Sequence, residues 1–352
     1  MTLPHWSPLR FRPYLDTVDE PNVVVDGATN DATVLTLSHW PQAPCPPSLQ
    51  RDSSAEIAFA YLAEPSRHGA ARWVSNNHFD QDGVVAVHAL TDPEAAAAHG
   101  DLLVDVAWVG DFAVARRRQA ARISMAIATF ADPLRSPLGS AAFDDGYDQA
   151  CGLLYSEVLG RLAEMIDHPE RYRALWADED AQLDADERWM TEGAVEIEEV
   201  PELDLAVVTL PDTHRSAGGH RFGGTWSERV HPVALHAHVD GFAVLLGQGS
   251  WWELRYRYES WVQFVSRPVR PRVDLSTVAA ELTALEPDGA AWTFDGVAAL
   301  TPALHRADLG PSGLAPEVIR SAIERALRTE PPAWDPYVPG RPGVPGRSGS
   351  VS

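Results

Sequence analysis

Three side chains that could bind one metal ion lie within residues 77–83, which read Asn-His-Phe-Asp-Gln-Asp-Gly. His78, Asp80 and Asp82 alternate along this segment, and alternate residues of an extended turn face the same way. Imidazole and carboxylate ligands together favour manganese, iron, zinc or magnesium over metals that prefer thiolates. The alternatives are a calcium-like surface loop or a capping turn in which Asp82 begins the next helix.

Three further candidate ligands are Asp26, His39 and Asp111. Each follows a short apolar run that we predict to be a buried strand, at residues 22–25, 33–37 and 102–108. Parallel strands end at one edge of a sheet, and ligands bind beyond that edge. If these strands are neighbours, two histidines and four aspartates meet there, which is enough for two metal ions. Each residue also has a structural alternative: an Asx turn, packing beside a tryptophan, or a helix cap, respectively.

The elements around these residues predict an α/β fold with a mostly parallel sheet, because short apolar strands alternate with helical segments. A chain of 352 residues is longer than one core usually serves, so we expect more than one domain. We predict an α/β metal-binding domain, a helical bridge, a smaller α+β domain and a disordered tail rich in proline, glycine and serine. Their bounds are residues 20–145, 146–193, 194–330 and 331–352.

The amino-acid composition argues against long nucleic acids and membranes as binding partners. The net charge is −22, which makes the chain a poor general binder of long nucleic acids or anionic membranes. The sequence contains no run of about 18 apolar residues, so it predicts no membrane span. The first 15 residues also lack the apolar core of a signal peptide. We therefore expect a cytoplasmic protein that binds a small ligand, and association into a homodimer stays open.

Arginines in the second half of the chain could bind an anion. Residues 266–272 read Ser-Arg-Pro-Val-Arg-Pro-Arg, and Arg267 and Arg272 could each bind a phosphate through two donors. The alternative is a solvated face paired with nearby acids. Residues 233–238 predict a strand on which His236 and His238 face the same side, where packing is the favoured role.

Several of these segments resemble motifs of the DHH phosphoesterases. Residues 78–83, between a strand and a helix, are similar to the first motif of that family. Residues 24–27 resemble the second motif, a strand that ends in a metal-binding aspartate, and residues 37–40 resemble the Asp-His-His motif itself. Residues 52–57 are similar to the serine-rich helix start that follows it, Asp111 to the last metal-binding aspartate, and residues 264–279 to part of the DHH-associated domain.

The chain departs from the family pattern in two ways. The first family motif comes after the other two, as a circular permutation of the sheet would produce. Ser38 and Trp40 stand where the name motif has its first aspartate and its second histidine. In the family that second histidine helps to hold the substrate phosphate.

The resemblance implies a metal-dependent phosphoesterase that acts on a small phosphorylated molecule or a short nucleotide. One or two Mn²⁺ (or Mg²⁺) ions would be held by six residues: Asp26, His39, His78, Asp80, Asp82 and Asp111. Of these, Asp80, Asp82 and His39 would also act in catalysis, and Arg267 or Arg272 would bind the phosphate. One alternative is a non-catalytic sensor or partner protein of the same fold. Another is a metal hydrolase of a different class that uses His236 and His238.

Overall fold

The computed structural model describes residues 7–215 and 224–338. The chain forms two compact units. Of the described residues, the first unit contains 7–181 together with Phe264–Ser266, and the second contains those of 182–263 and 267–338. The predicted α/β class with more than one domain is confirmed. Residues 146–181, which we expected in a helical bridge, group with the first unit.

The first unit is built on a four-stranded sheet in which every neighbouring pair is parallel. Its strands are β1 (Arg10–Phe11), β2 (Asn22–Val25), β3 (Thr33–Leu37) and β4 (Trp73–Ser75). Their order across the sheet is β1-β4-β2-β3. All four residues of β2 are buried, as expected for a parallel strand that is covered on both faces. The carboxyl ends of β4, β2 and β3 therefore lie side by side.

Helices cover this sheet, and local caps determine where the first two of them begin. Ser53 and Glu56 form a capping box at the first helix, and Asp80 caps the second. The helices are α1 (Ser54–Leu62), α2 (Gln81–Thr91), α3 (Pro93–Ala98), α4 (Gly100–Phe112), α5 (Arg118–Phe130), α6 (Tyr147–Leu159), α7 (Leu162–Asp167) and α8 (Arg173–Thr191), of which α8 crosses into the second unit.

One predicted strand is wrong. Residues 102–108 lie within α4, so Asp111 stands in the last turn of a helix and not after a strand. The helix is apolar on most of its surface because it is buried among other helices of this unit. A continuous apolar run cannot be assigned to a helix or a strand from its periodicity.

The second unit contains a mixed six-stranded sheet, with strand order β10-β11-β8-β7-β6-β5, and a separate pair, β12-β9. The strands are β5 (Glu196–Val200), β6 (Leu205–Leu210), β7 (Ala243–Gln248), β8 (Trp251–Tyr256), β9 (Arg272–Val273), β10 (Trp292–Phe294), β11 (Ala303–Arg306) and β12 (Pro332–Trp334). The helices are α9 (Pro232–His236), α10 (Ser276–Leu285) and α11 (Pro316–Thr329). Apolar side chains of α10 and α11 share one core with the sheet.

Two further expectations need correction in this unit. Residues 232–236 form a short helix after a proline, so His236 and His238 do not alternate along a strand. The predicted disordered tail begins too early, because Pro332–Trp334 pairs with β9 and Trp334 stacks on Trp261 with ring centroids 6.2 Å apart. The rest of that tail, from residue 339 onward, lies outside the described residues. Within residues 7–215 and 224–338, no helix is long and apolar enough to cross a membrane.

Candidate metal centre

Three of the predicted ligands follow neighbouring strands of the parallel sheet. Asp26 comes directly after β2 with a φ of 44°, a left-handed conformation that aspartate tolerates better than most residues. His39 follows β3, and His78 follows β4. The strand order therefore places these three side chains at one edge, as the parallel arrangement predicted.

Helices supply the other three ligands. Asp80 is the N-cap of α2, and Asp82 lies in the first turn of that helix. Asp111 reaches the same place from the last turn of α4. The structure thus brings together all six residues that the sequence suggested as metal ligands, although Asp111 comes from an element that we had assigned wrongly.

The six side chains form two groups that share one member. The first group is Asp26, His39, Asp82 and Asp111, and the second is Asp26, His78 and Asp80. In each group one potential ligand atom per residue lies within 4.8 Å of all the others. Only His78 is appreciably accessible, with 12% of its side chain exposed. Such a buried cluster of carboxylates and imidazoles could hold a metal ion.

His39 lies at the centre of the first group. Its Nε2 atom is 3.5 Å from Asp26 Oδ1, 3.5 Å from Asp111 Oδ2 and 3.9 Å from Asp82 Oδ2. In the second group, His78 Nε2 lies 2.8 Å from Asp80 Oδ2 and 3.2 Å from Asp26 Oδ2. The two oxygens of Asp26 therefore face two different histidines.

These separations suit donor atoms that surround a common ion. Metal–ligand bonds of about 2.1 Å at right angles place neighbouring donors about 3 Å apart. The charge balance points the same way. With both histidines protonated and all four carboxylates ionised, two negative charges would stay uncompensated, so the buried cluster needs either bound cations or further protons on its aspartates. The donor set therefore fits divalent cations.

Hydrogen bonds orient the ligands of the first group. His39 Nδ1 donates to the carbonyl oxygen of Asp52 at 2.6 Å, so Nε2 is the nitrogen that faces the carboxylates. Ser54 Oγ donates to Asp26 Oδ1 at 2.9 Å and accepts from the backbone N–H of His39 at 3.2 Å. The sequence indicated residues 52–57 only as a helix start, and the contacts of Ser54 with two potential ligands were missed.

Two further carboxylates, those of Asp82 and Asp80, are held by helix N-termini. Asp82 accepts from the backbone N–H groups of Ser54 and Ala55, at 2.7 and 2.8 Å, where α1 begins. Asp80 Oδ1 accepts from Gly83 N at 2.8 Å, which leaves Oδ2 for His78. The capping role considered as an alternative for this segment thus belongs to Asp80, and it coexists with a place among the potential ligands.

The charges and the burial of the cluster change the pKa values of its own side chains. Burial alone would lower the pKa of His39, but its hydrogen bond with Asp26 and the charges of Asp82 and Asp111 raise that pKa to about 10. Burial likewise opposes protonation of His78, and the charges of Asp80 and Asp26 raise its pKa to about 10. Burial, together with the charge of Asp26, raises the pKa of Asp82 to about 7. Without a cation the centre therefore retains protons.

The two arginines expected to bind phosphate have other partners in the second unit. Arg272 is fully buried, and its guanidinium donates to Ser260 Oγ and to four backbone carbonyls, which uses all five N–H groups. Its assignment to substrate binding is therefore wrong. Arg267 stacks on Phe242 and donates to Asp204 and to the carbonyl of Asp240, and 35% of its side chain stays exposed.

His236 and His238 also have local roles. The Nδ1 atom of His238 donates to the carbonyl oxygen of Ala234 at 2.9 Å, and the ring of His236 lies edge-on to Trp226. Within the described ranges, neither residue belongs to a group of potential metal ligands. Packing, the role that we favoured, agrees with these contacts.

Comparison with known proteins places the chain in a family without assigning it an activity. Residues 7–338 match the model of a family of unknown function, DUF6687. No curated protein and no solved structure matches the chain. Because the matched region covers most of the 352 residues, the chain belongs to the DUF6687 family.

Proposed function

We propose that this chain is a divalent-metal-dependent phosphoesterase with two ions in one buried centre. The observation that supports the proposal best is the position of Asp26. Its Oδ1 lies in the group around His39, and its Oδ2 lies in the group around His78. A carboxylate shared in this way is typical of centres in which two ions act on one substrate.

Each ion would have its own set of residues. Asp26, His39, Asp82 and Asp111 would hold one, and Asp26, His78 and Asp80 would hold the other. Bound ions of this kind stabilise both the attacking and the leaving oxygen of an in-line displacement at phosphorus. The smaller second group, with its partly exposed histidine, is the side of the centre that a substrate would reach.

The residues of the chain have three tasks in this scheme. His39 presents Nε2 because Nδ1 is committed to a carbonyl, and Ser54 holds Asp26 in the orientation that the two groups share. Backbone N–H groups at the helix N-termini hold Asp82 and Asp80, so these bonds use no histidine nitrogen. Burial keeps bulk water from most of the cluster, which strengthens every electrostatic interaction within it.

Mn²⁺ and Mg²⁺ are the ions that we propose. The donors are carboxylate oxygens and imidazole nitrogens, and neither Cys45 nor Cys151 belongs to the groups of potential ligands found among the described residues. The net charge of −22 favours a small phosphorylated substrate or a short nucleotide over long nucleic acids. These ions and this substrate class are the ones implied by the resemblance of residues 78–83 to the DHH phosphoesterases.

The test compares phosphoesterase activity in matched variants. Protein stripped with a chelator and reloaded with Mn²⁺ is assayed with bis-p-nitrophenyl phosphate, pAp and cyclic dinucleotides. We expect Asp80→Asn, which keeps the acceptor that caps α2, to lower activity at least about 100-fold. The control is Asp105→Asn, a buried acid of α4 that accepts from Arg116 N at 2.8 Å. Wild-type activity no greater than that of Asp80→Asn would exclude the proposal.

A second candidate function is a non-catalytic metal or nucleotide sensor. It is favoured by Trp40, whose ring stands 5.2 Å from that of His78 with an interplanar angle of 30°. The resembling family has a phosphate-holding histidine at the position of Trp40, whereas an indole contributes an apolar face. Tight binding of Mn²⁺ and of a nucleotide without turnover of any of the three substrates would identify the sensor.

A further inference from the structure

A cavity of about 320 Å³ lies in the first unit, between the segment that follows β1 and helix α6. Asn76 and Tyr155 are among its lining residues, and both also stand beside the group that contains His78 and Asp80. The cavity contains none of the six potential metal ligands in its lining. It is therefore a neighbour of the metal centre and not the centre itself.

Tyr155 brings an unsatisfied hydroxyl to this boundary. The residue is fully buried, and its ring packs against Phe11 and Phe79 with centroids 4.9 and 5.2 Å away. Its hydroxyl has no hydrogen-bond partner among the described residues. Native proteins rarely leave such a group unpaired, because it loses its hydration on burial and gains no bond in return. The hydroxyl is therefore available to donate to a partner from outside the chain.

Asn76 contributes a second donor at the same place. Its Oδ1 accepts from the backbone N–H of His78 at 3.0 Å, which identifies the other amide atom as the NH₂ donor. That Nδ2 atom is buried and also lacks a hydrogen-bond partner among the described residues. Two unsatisfied polar groups thus belong to residues that line one cavity.

Gly83 shows how closely these donors converge. A Cβ atom built on this glycine would lie 2.3 Å from Tyr155 Oη, 2.4 Å from Asn76 Nδ2 and 3.1 Å from Asp80 Oδ1. Both donors therefore lie close to one point beside a potential metal ligand. A Cβ atom at position 83 would clash with both donors, so glycine is what allows them to approach the backbone of α2 this closely.

We propose that this cavity is the substrate pocket, with Asn76 and Tyr155 donating hydrogen bonds to an oxygen of the phosphoryl group. The inference rests on the proposed phosphoesterase function and adds a pocket and two residues to it. Donors placed beside cations are the arrangement that stabilises charge on phosphoryl oxygens. Both residues would touch the substrate directly.

The shape and chemistry of the cavity indicate the rest of the substrate. A volume of about 320 Å³ is at the lower end for ligand pockets, so it suits one nucleoside and not an oligonucleotide. Phe11 and Tyr14 provide aromatic rings, and Asp16 and Asp148 provide carboxylates that accept from hydroxyl and amino groups. These carboxylates would repel phosphate, so we place the phosphoryl group at the part of the cavity lined by Asn76 and Tyr155. The substrate class is therefore a mononucleotide or the ester of one nucleoside.

The experiment measures binding as well as turnover. Inorganic phosphate and AMP are titrated into the Mn²⁺-loaded protein by calorimetry, after the Mn²⁺ content has been determined. We expect Tyr155→Phe to keep the thermal stability and the Mn²⁺ content, because the lost hydroxyl has no partner in the chain, and to weaken phosphate binding about tenfold or more. The control Tyr61→Phe removes the hydroxyl of another buried tyrosine of this unit, which bonds the backbone of Gly69.

A second pair of variants tests the outer part of the cavity. Ser156→Trp fills it from α6, whereas Glu157→Trp changes the next residue, which does not line it. We expect wild-type protein to bind AMP more tightly than phosphate, and Ser156→Trp alone to remove that difference.

Each outcome bears on one claim. Equal phosphate affinity in Tyr155→Phe and wild type would overturn the role of the hydroxyl. An AMP affinity no higher than that for phosphate, or unchanged in Ser156→Trp, would overturn the pocket while the metal centre stands. Failure to bind Mn²⁺ at all would instead remove the proposed function on which the pocket rests.

Discussion

The Nδ1 atom of His39 lies 2.6 Å from the carbonyl oxygen of Asp52, and this contact determines which ring nitrogen points to the aspartates. A carbonyl can only accept, so Nδ1 carries the proton and Nε2 is directed into the cluster. Such partners behind a ligand usually raise its affinity for metal by holding it in place. The start of α1 therefore supports the centre as well as beginning a helix.

Two adjacent serines at this helix start should behave differently when changed to alanine. Ser54 Oγ contacts Asp26, whereas Ser53 caps α1. We expect Ser54→Ala to weaken Mn²⁺ binding about 10- to 100-fold. Ser53→Ala should lower the free energy of unfolding by about 1 kcal/mol and leave Mn²⁺ affinity unchanged. Calorimetric titration and chemical denaturation of both variants measure the two effects. Equal Mn²⁺ affinities would contradict a supporting role for Ser54.

The shared carboxylate predicts a pattern of metal content. Wild-type protein should bind two Mn²⁺ ions per chain, and Asp26→Asn should retain fewer than one, because both groups lose a ligand. Asp111→Asn removes a ligand from one group only, so it should retain about one ion. Elemental analysis after gel filtration gives the numbers, with Asp105→Asn as the matched control on α4. Two ions in Asp26→Asn would show that the carboxylate is not shared.

The raised pKa values predict how pH affects metal binding. His39 and His78, with pKa values of about 10, and Asp82, with a pKa of about 7, must lose their protons before they can bind an ion. Mn²⁺ affinity should therefore rise from about pH 6.5 to about pH 9, and binding should release protons. Titration in buffers of different ionisation enthalpy counts those protons. An affinity independent of pH would argue against these residues as ligands.

The same shifts give a sign for the stability of the metal-free protein. Each of these groups holds its proton more tightly when folded than when unfolded, where His titrates near 6.5 and Asp near 3.8. The histidine contribution is complete below 6.5 and is lost as the pH rises towards 10, and that of Asp82 is lost between about 4 and 7. The melting temperature of metal-free protein should therefore fall as the pH rises, and that of Mn²⁺-loaded protein should fall less.

Arg272 should prove important for folding and not for substrate binding. Its five N–H groups are satisfied within the second unit, so Arg272→Met would leave four buried or partly buried carbonyls and a hydroxyl short of a donor. We expect the free energy of unfolding to fall by about 3 kcal/mol or more. The control Arg325→Met removes an exposed arginine, paired with Glu281, and should cost at most about 1 kcal/mol. Denaturant titration compares them, and an unaltered stability in Arg272→Met would refute the assignment.

The types of residue and their local spacing were enough to suggest five of the six potential ligands, all except Asp111. Asp26, His39 and His78 follow apolar runs that form neighbouring parallel strands, and the edge of such a sheet is where their side chains must meet. Asp80 and Asp82 belong to the same short segment as His78. Neighbours along the chain determine these features, so a single sequence can reveal them.

Only the tertiary structure decided how these residues divide into two groups around Asp26. That division depends on strand order and on α4, whose last turn brings in Asp111 from a buried apolar run that reads equally well as a strand. Arg272 and Tyr155 illustrate the same limit, because nothing near them in sequence indicates a set of accepting carbonyls or a buried hydroxyl without a partner. Distances between remote residues are determined by packing, and packing is not encoded in local spacing.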